Sequence, residues 1–416
     1  MLKRFFEPGA LLSYKGFRNL WIAGGLMVIG GGIFPIAIAI VIIDSGGDAT
    51  TLGLVLAARV LSGVGVVLVG GVWADRLRRK KVLFVSDISR GLLTLVLVFV
   101  SAPDIPRYWM ALIVFLMGIG DAFASPASVA IVPSLLPPER LQEGNVLRGV
   151  TGRLGNVIGP AIGGVAVALV GARNTFIFVA LCMFIAGSLI IQVHEPAIVD
   201  IEEREPFIHE LKDGLRTVWE MPWVAAFIAM ATGQLMIVMS AETVLLPIIT
   251  KREFHTNSVM AFAMAAFALG AATSAIVSLK IKVKHQGQFS LIVWSFFALL
   301  PLCLAFPFSP WIIVIGYLVG GISVGPWDAF WPLAIQREIP VEKQGRVFAV
   351  DHAGSAGMIP VGMALVGPVT QAFGEKQFLL FAVVFHLVIN VIVAQVPGVK
   401  DMKTPSNSSI GEQEKA

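Results

Sequence analysis

The hydrophobic positions of this 416-residue chain fall into long runs separated by short polar connections. Twelve runs stand out, at about 20–43, 51–74, 82–102, 108–132, 146–170, 174–193, 223–248, 258–279, 288–307, 310–335, 347–372 and 377–396. Each is close to or above the ~20 residues an α-helix needs to cross a bilayer. Backbone groups in lipid find no water to bond, so each run is predicted to be a membrane-spanning helix. The first run follows Lys3, Arg4, Lys15 and Arg18, and it is too long for the core of a cleaved leader. It is therefore expected to be a retained first span.

Composition agrees with this pattern. Hydrophobic residues make up 56% of the chain and charged residues 14%, against roughly 25% charged in a soluble domain. The net charge of +4 is then a trace of topology and no sign of nucleic-acid binding. With the N-terminus placed inside, 22 of the 31 Lys and Arg lie in cytoplasmic segments. Five (Arg107, Arg173, Lys251, Arg252, Lys376) lie outside, and four (Arg59, Arg90, Arg148, Arg153) lie in or beside spans. Loops rich in Lys and Arg stay inside. The expectation is an all-α polytopic membrane protein with twelve spans and both termini cytoplasmic.

The longest polar segment, His194 to Pro222, joins two sets of six runs, and the tail beyond Pro397 is polar and Ser-rich. This predicts an N-terminal six-helix bundle over 1–193, a cytoplasmic linker over 194–222, a C-terminal bundle over 223–397, and a disordered tail over 398–416. The halves also repeat. Asp121-Ala-Phe-Ala-Ser-Pro126 returns as Asp328-Ala-Phe-Trp-Pro332, Pro137-Pro-Glu139-Arg140 as Pro340-Val-Glu342-Lys343, and Gly171 as Gly374. Parallel halves about an axis normal to the membrane are one transporter plan.

A cationic knot lies between the second and third runs: Gly71-Val-Trp-Ala-Asp75-Arg76-Leu-Arg78-Arg79-Lys80-Lys81. Asp75 is its only carboxylate, and Gly71, one turn earlier, leaves room for another helix. The fifth run contains Gly155-Asn-Val-Ile-Gly159-Pro160-Ala-Ile-Gly163-Gly164. Glycines four apart share one helix face and favour close packing, and Pro160 is expected to kink the helix.

Charges within spans are costly and need a reason. Asp87 and Arg90 are one turn apart and are predicted to pair. Arg59 has no evident partner in sequence, so a structural pair and a substrate contact both stay open. Asp121 and Arg153 lie at similar depth on neighbouring antiparallel spans, so Asp121 either pairs with Arg153 or titrates. Asp328 sits between Trp327 and Trp331 with no cation close in sequence. Glu242 is near the outer end of its span and can reach water. Gln234 can bond a cargo or another helix. Cys182 and Cys303 lie in separate runs and suggest neither a disulfide nor a metal site. The chain has no Gly-x-x-x-x-Gly-Lys-Ser/Thr loop, His-rich metal spacing or hydrolase elbow, so no cofactor, nucleotide or metal is expected, and no enzymatic activity.

The pattern Gly-x-x-x-Asp-Arg-x-x-Arg-Lys-Lys resembles the signature between spans two and three of the major facilitator superfamily, except that Arg78 stands where most members have glycine. Gly-Pro-x-x-Gly-Gly in span five is similar to the motif of its exporters. Lys15-Gly-Phe-Arg-Asn-Leu-Trp21, Asp213-Gly-Leu-Arg216 and Gln336-Arg-Glu-Ile-Pro340-Val-Glu-Lys-Gln-Gly345-Arg346-Val347 are similar to one branch. That branch of drug:proton antiporters includes macrolide efflux proteins and the enterobactin exporter. The resemblance implies two six-helix bundles, alternating access, multidrug-type efflux of an amphipathic drug-like or siderophore-like molecule by proton antiport, a bacterial cell membrane, and a monomer. It implies a cavity lined by spans one, four, seven and ten, with Gln234, Phe123, Trp327, Trp331 and Arg153 as candidate lining. Asp328, Asp121 and Glu242 become the candidates for proton coupling. Gly71, Asp75, Arg76 and Arg79 form the conformational motif, in which Asp75 braces the outward-open state. Gly155, Gly159, Pro160, Gly163 and Gly164 form the antiporter motif. An importer or symporter, a lipid flippase, a channel and a non-transporting receptor are the alternatives.

Overall fold

A computed structural model describes residues 10–74, 78–102, 105–195, 214–278, 280–281 and 283–404. It does not extend to the side chains of residues 64–74, 153, 156–157, 341–342 and 356. The described chain is helical, without a strand. The long helices are α1 (Lys15–Asp44), α2 (Ala49–Ala74), α3 (Arg79–Val100), α4 (Tyr108–Ala130), α5 (Leu141–Val170) and α6 (Ala172–Ile190). Beyond the linker come α7 (Pro222–Phe254), α8 (Ser258–Ser278), α9 (Gln286–Ala305), α10 (Pro310–Glu338), α11 (Lys343–Phe373) and α12 (Glu375–Ala394). Ten of these are long and apolar enough to cross a membrane. For α2 and α5 the described apolar stretches are the shorter Ala49–Gly63 and Ile158–Val170.

The helix ends follow local chemistry. Pro310 occupies the first turn of α10, and the Ser309 hydroxyl accepts a bond from the Trp311 amide at 3.3 Å. Gly171 closes α5 at φ 81° and Gly374 closes α11 at φ 91°, values a side chain disfavours. The repeat seen in sequence thus marks two equivalent stops. Within α7, residues Leu235–Met239 form a π turn. The Ser240 hydroxyl caps it, donating to the Leu235 carbonyl at 3.1 Å and to Ile359 O at 3.1 Å.

The chain packs as two compact units. Unit 1 comprises Met1–Arg204, Thr243–Ala268 and Met363–Val369. It gathers α1 to α6 with the end of α7, the start of α8 and a piece of α11. Its apolar core includes Phe17, Leu20, Leu83, Ile131 and Ile190. The glycine run of α5 is a packing seam here: a Cβ on Gly32 of α1 would stand 2.9 Å from Gly159 Cα and 2.8 Å from Pro160 Cδ. Two backbones can meet this closely only without side chains. Gly155 faces Val28, Gly163 faces Ile33, and Gly164 faces Ala261.

Unit 2 comprises Glu205–Glu242, Leu269–Gly362 and Thr370–Ala416. Its core is aromatic: Trp223, Phe227 and Trp331 meet edge to face, and Trp327 stacks on Trp331 with centroids 5.5 Å apart. The start of the tail belongs to this core. Val399 and Met402 are fully buried, Arg337 donates to Met402 O at 2.8 Å, and the Thr404 amide donates to Glu338 at 3.1 Å. These contacts hold Gly398 to Thr404, the start of the segment expected as a tail, through two apolar anchors in a polar stretch. Residues 405–416 lie outside the described residues.

Candidate functional site

Two polar clusters are buried in the helices, one in each unit. In unit 1 the Met117-Gly-Ile-Gly-Asp121 stretch of α4 packs on α2, and a Cβ at Gly118 would meet the Arg59 carbonyl at 2.1 Å. That approach brings Arg59 to Asp121. Arg59 Nε donates to Asp121 Oδ2 at 2.9 Å, while Arg90 Nη1 of α3 donates to Asp121 Oδ1. Arg90 Nη2 holds Asp87, the predicted one-turn pair, and Arg90 Nε donates to Ser86 O at 3.1 Å. The Arg59 guanidinium also lies 4.7 Å above the Phe34 ring of α1, a favourable seat for a cation. Arg90 is only 6% exposed, whereas Arg59 and Asp121 are 21% and 35% exposed. The described partners of Asp121 are therefore Arg59 and Arg90. The expected partner Arg153 has its side chain outside the described residues.

Unit 2 carries a neutral counterpart. Gln234, next to the π turn of α7, donates to Asn390 Oδ1 of α12 at 2.8 Å and accepts from Trp294 Nε1 of α9 at 2.6 Å. Asn390 donates to Ser295 Oγ at 3.1 Å. His386 Nε2 lies 2.9 Å from Trp294 O, so that nitrogen carries the proton, since a carbonyl can only accept. Gln234 is 2% exposed and its amide is committed to other helices, so of its two expected roles the structure shows helix bonding.

The remaining predicted residues are scattered. Asp328 is exposed on α10, Trp327 is half-buried and Trp331 is core. Trp331 Nε1 donates to Asp351 Oδ2 of α11 at 2.9 Å. Phe123 packs half-buried against the unit 1 core. Glu242 accepts from the buried Tyr317 hydroxyl at 2.8 Å. Gly71 lies in α2, and Asp75 and Arg76 lie outside the described residues. The backbone amides of Arg79 and Lys80 donate to the two carboxylate oxygens of Glu195, at 3.1 and 2.9 Å. This carboxylate satisfies free donors at the α3 N-terminus. Asp351, Glu195, His386 and Asn390 were missed in the sequence reading. The last two had a signal, being polar residues four apart in an otherwise apolar run.

Buried charges and polar networks inside long apolar helices define a multi-pass membrane protein whose helices carry water-accessible polar groups, as transport proteins do. The chain belongs to the Major Facilitator Superfamily, whose profile matches residues 20–363. It is 25% identical over 395 residues to the Multidrug efflux pump Tap of Mycolicibacterium fortuitum, covering 91% of this chain and 94% of that one. It is 26% identical over 415 residues to the Enterobactin exporter EntS of Escherichia coli, covering 96% and 97%. The fold matches the crystal structure of the nucleoside transporter NupG with a TM-score of 0.70 at 12% identity, over 91% of this chain and 98% of that one. The family and its structural neighbours are transporters rather than enzymes.

Proposed function

We propose that this protein is a secondary exporter that moves an amphipathic small molecule out of the cell by alternating access, driven by proton entry. The observation that carries export is end-to-end similarity to two exporters, with over nine-tenths of this chain aligned to each. Twelve spans, two six-helix bundles, cytoplasmic termini and a monomeric state complete the proposal. Asp75 acts as the brace of the conformational motif.

Asp328 is the proposed proton site. It is exposed between Trp327 and Trp331 on α10, and a carboxylate within a span is costly against lipid. Asp121, held between two arginines, serves as a counter-ion. In reconstituted vesicles Asp328→Asn should abolish accumulation of cargo against its gradient while keeping downhill movement. A variant that still concentrates cargo when a pH difference is imposed removes Asp328 from the coupling step.

A further inference from the structure

In unit 1 the four charged groups are not equally committed. Arg90 uses Nε, Nη1 and Nη2 on Ser86, Asp121 and Asp87, and it is nearly sealed from solvent. Both oxygens of Asp121 are taken, one by each arginine. Arg59 bonds through Nε alone, and neither of its Nη nitrogens has a hydrogen-bond partner among the described residues. Asp121 thus has both oxygens engaged while Arg59 has donors to spare. Those donors form the fork that suits a planar anion. Arg59 lies ten residues into α2, so ~15 Å from the start of the helix. A guanidinium at that depth is costly against lipid, and the Arg59 side chain keeps 21% exposure.

Taking the transport reading as given, we propose that Arg59 binds an anionic group of the cargo, a carboxylate or a similar planar oxyanion, with Asp121 as its resident competitor. An arriving anion takes the two free Nη donors first and can then replace Asp121 Oδ2 at Nε. Asp121 keeps its bond to Arg90, so the exchange strands no bare carboxylate. Phe34, buried under the guanidinium, holds it in place from below. In its resting state the cluster has two arginines against two aspartates. Removing the Asp121 charge both frees Arg59 and leaves one positive charge to match the anion.

The test uses the purified full chain in detergent with naphthalene-2-carboxylate, its uncharged amide and the naphthyl trimethylammonium cation, measured by equilibrium dialysis. Wild type should prefer the carboxylate to the amide by about tenfold, the effect of roughly one charge-assisted hydrogen bond. Asp121→Asn should tighten the carboxylate about tenfold further and leave the amide unchanged. Arg59→Gln should erase the preference. Should it fail to fold, Arg59→Lys, which keeps the charge but loses the fork, should retain a weaker preference. Carboxylate preference absent from both wild type and Asp121→Asn, or intact in Arg59→Gln, overturns the proposal, as does tighter binding of the cation. A brace without a binding role would lower the melting temperature of Asp121→Asn and leave all three affinities alone. Everted vesicles separate the two readings. Carboxylate that binds but is not accumulated sinks export and spares the site. Accumulation unaltered by Arg59→Gln sinks the site and spares export.

Discussion

In unit 1 the Asp-Ala-Phe tripeptide begins with Asp121, whose carboxylate lies between two guanidinium groups at the junction of α2, α3 and α4. In unit 2 the same tripeptide begins with Asp328, an exposed residue on a helix whose next tryptophan is core. Unit 2 buries a neutral network, made of Gln234, Asn390, Ser295 and the Nε2–H tautomer of His386, while the half-buried Asp351 accepts from Trp331. A duplicated sequence thus places two carboxylates in corresponding helices and leaves their chemistry to different neighbours. The ionic cluster orients side chains through charge, whereas the neutral network does so through directional hydrogen bonds. One copy is neutralised within its own unit, and the other is exposed.

The largest expected effect comes from breaking the ionic side. Arg90→Met strands the buried Asp87 and leaves Asp121 with Arg59 alone, and removing one partner of a buried pair costs about 3–5 kcal/mol. The melting temperature of the purified protein should fall by far more than for any single change in the neutral cluster. A loss under ~2 °C would mean that the arginine is not what holds α3 to α4.

A smaller loss is expected from Gln234→Leu, which leaves the Trp294 indole N–H and the Asn390 amide without their partner at a cost of about 1–3 kcal/mol. Replacing Gln234 and Asn390 together by apolar residues should recover part of that loss, because the Asn390 oxygen is then no longer left unpaired, although the Trp294 indole N–H still is. A double variant worse than the sum of the single ones would show that the network also positions α7 around its π turn.

The smallest effect lies outside the membrane, where the tail joins the core of unit 2. The His285 ring, whose Nδ1 lies 2.5 Å from Asp401 Oδ1, holds the Asp401 carboxyl below the usual carboxylate range by hydrogen bonding. A depressed carboxyl stabilises the fold above its unfolded pKa of about 3.9 and loses that contribution as pH falls through the lower folded value. Asp401→Asn should therefore melt slightly below wild type at pH 6, with the gap closing on acidification below pH ~4. The gap should be small because the pair is solvent-screened, with Asp401 46% exposed. A gap that widened on acidification would reverse the assigned sign.

How much was legible in sequence depended on the range of each interaction. Membrane embedding, the placing of the helices and the glycine seam of α5 follow from local composition and spacing, which act within one turn or one span. The Asp87–Arg90 pair is legible for the same reason, its members lying one turn apart. Gly171 and Gly374 end their helices in the same left-handed conformation because a local backbone need repeats with the sequence. The partners of Asp121 were not legible. Arg59 is 62 residues away, and nothing in its own span marks it as a partner. Gln234 meets Asn390 across 156 residues, and Glu195 caps α3 from beyond α6. Such contacts depend on the rotation of each helix about its axis and on which neighbour it packs against. Those are set by side-chain fit across the bundle, which no local pattern encodes. The sequence by itself determined that charged residues would stand inside these helices; only the tertiary structure decided which were neutralised and which donors stayed free.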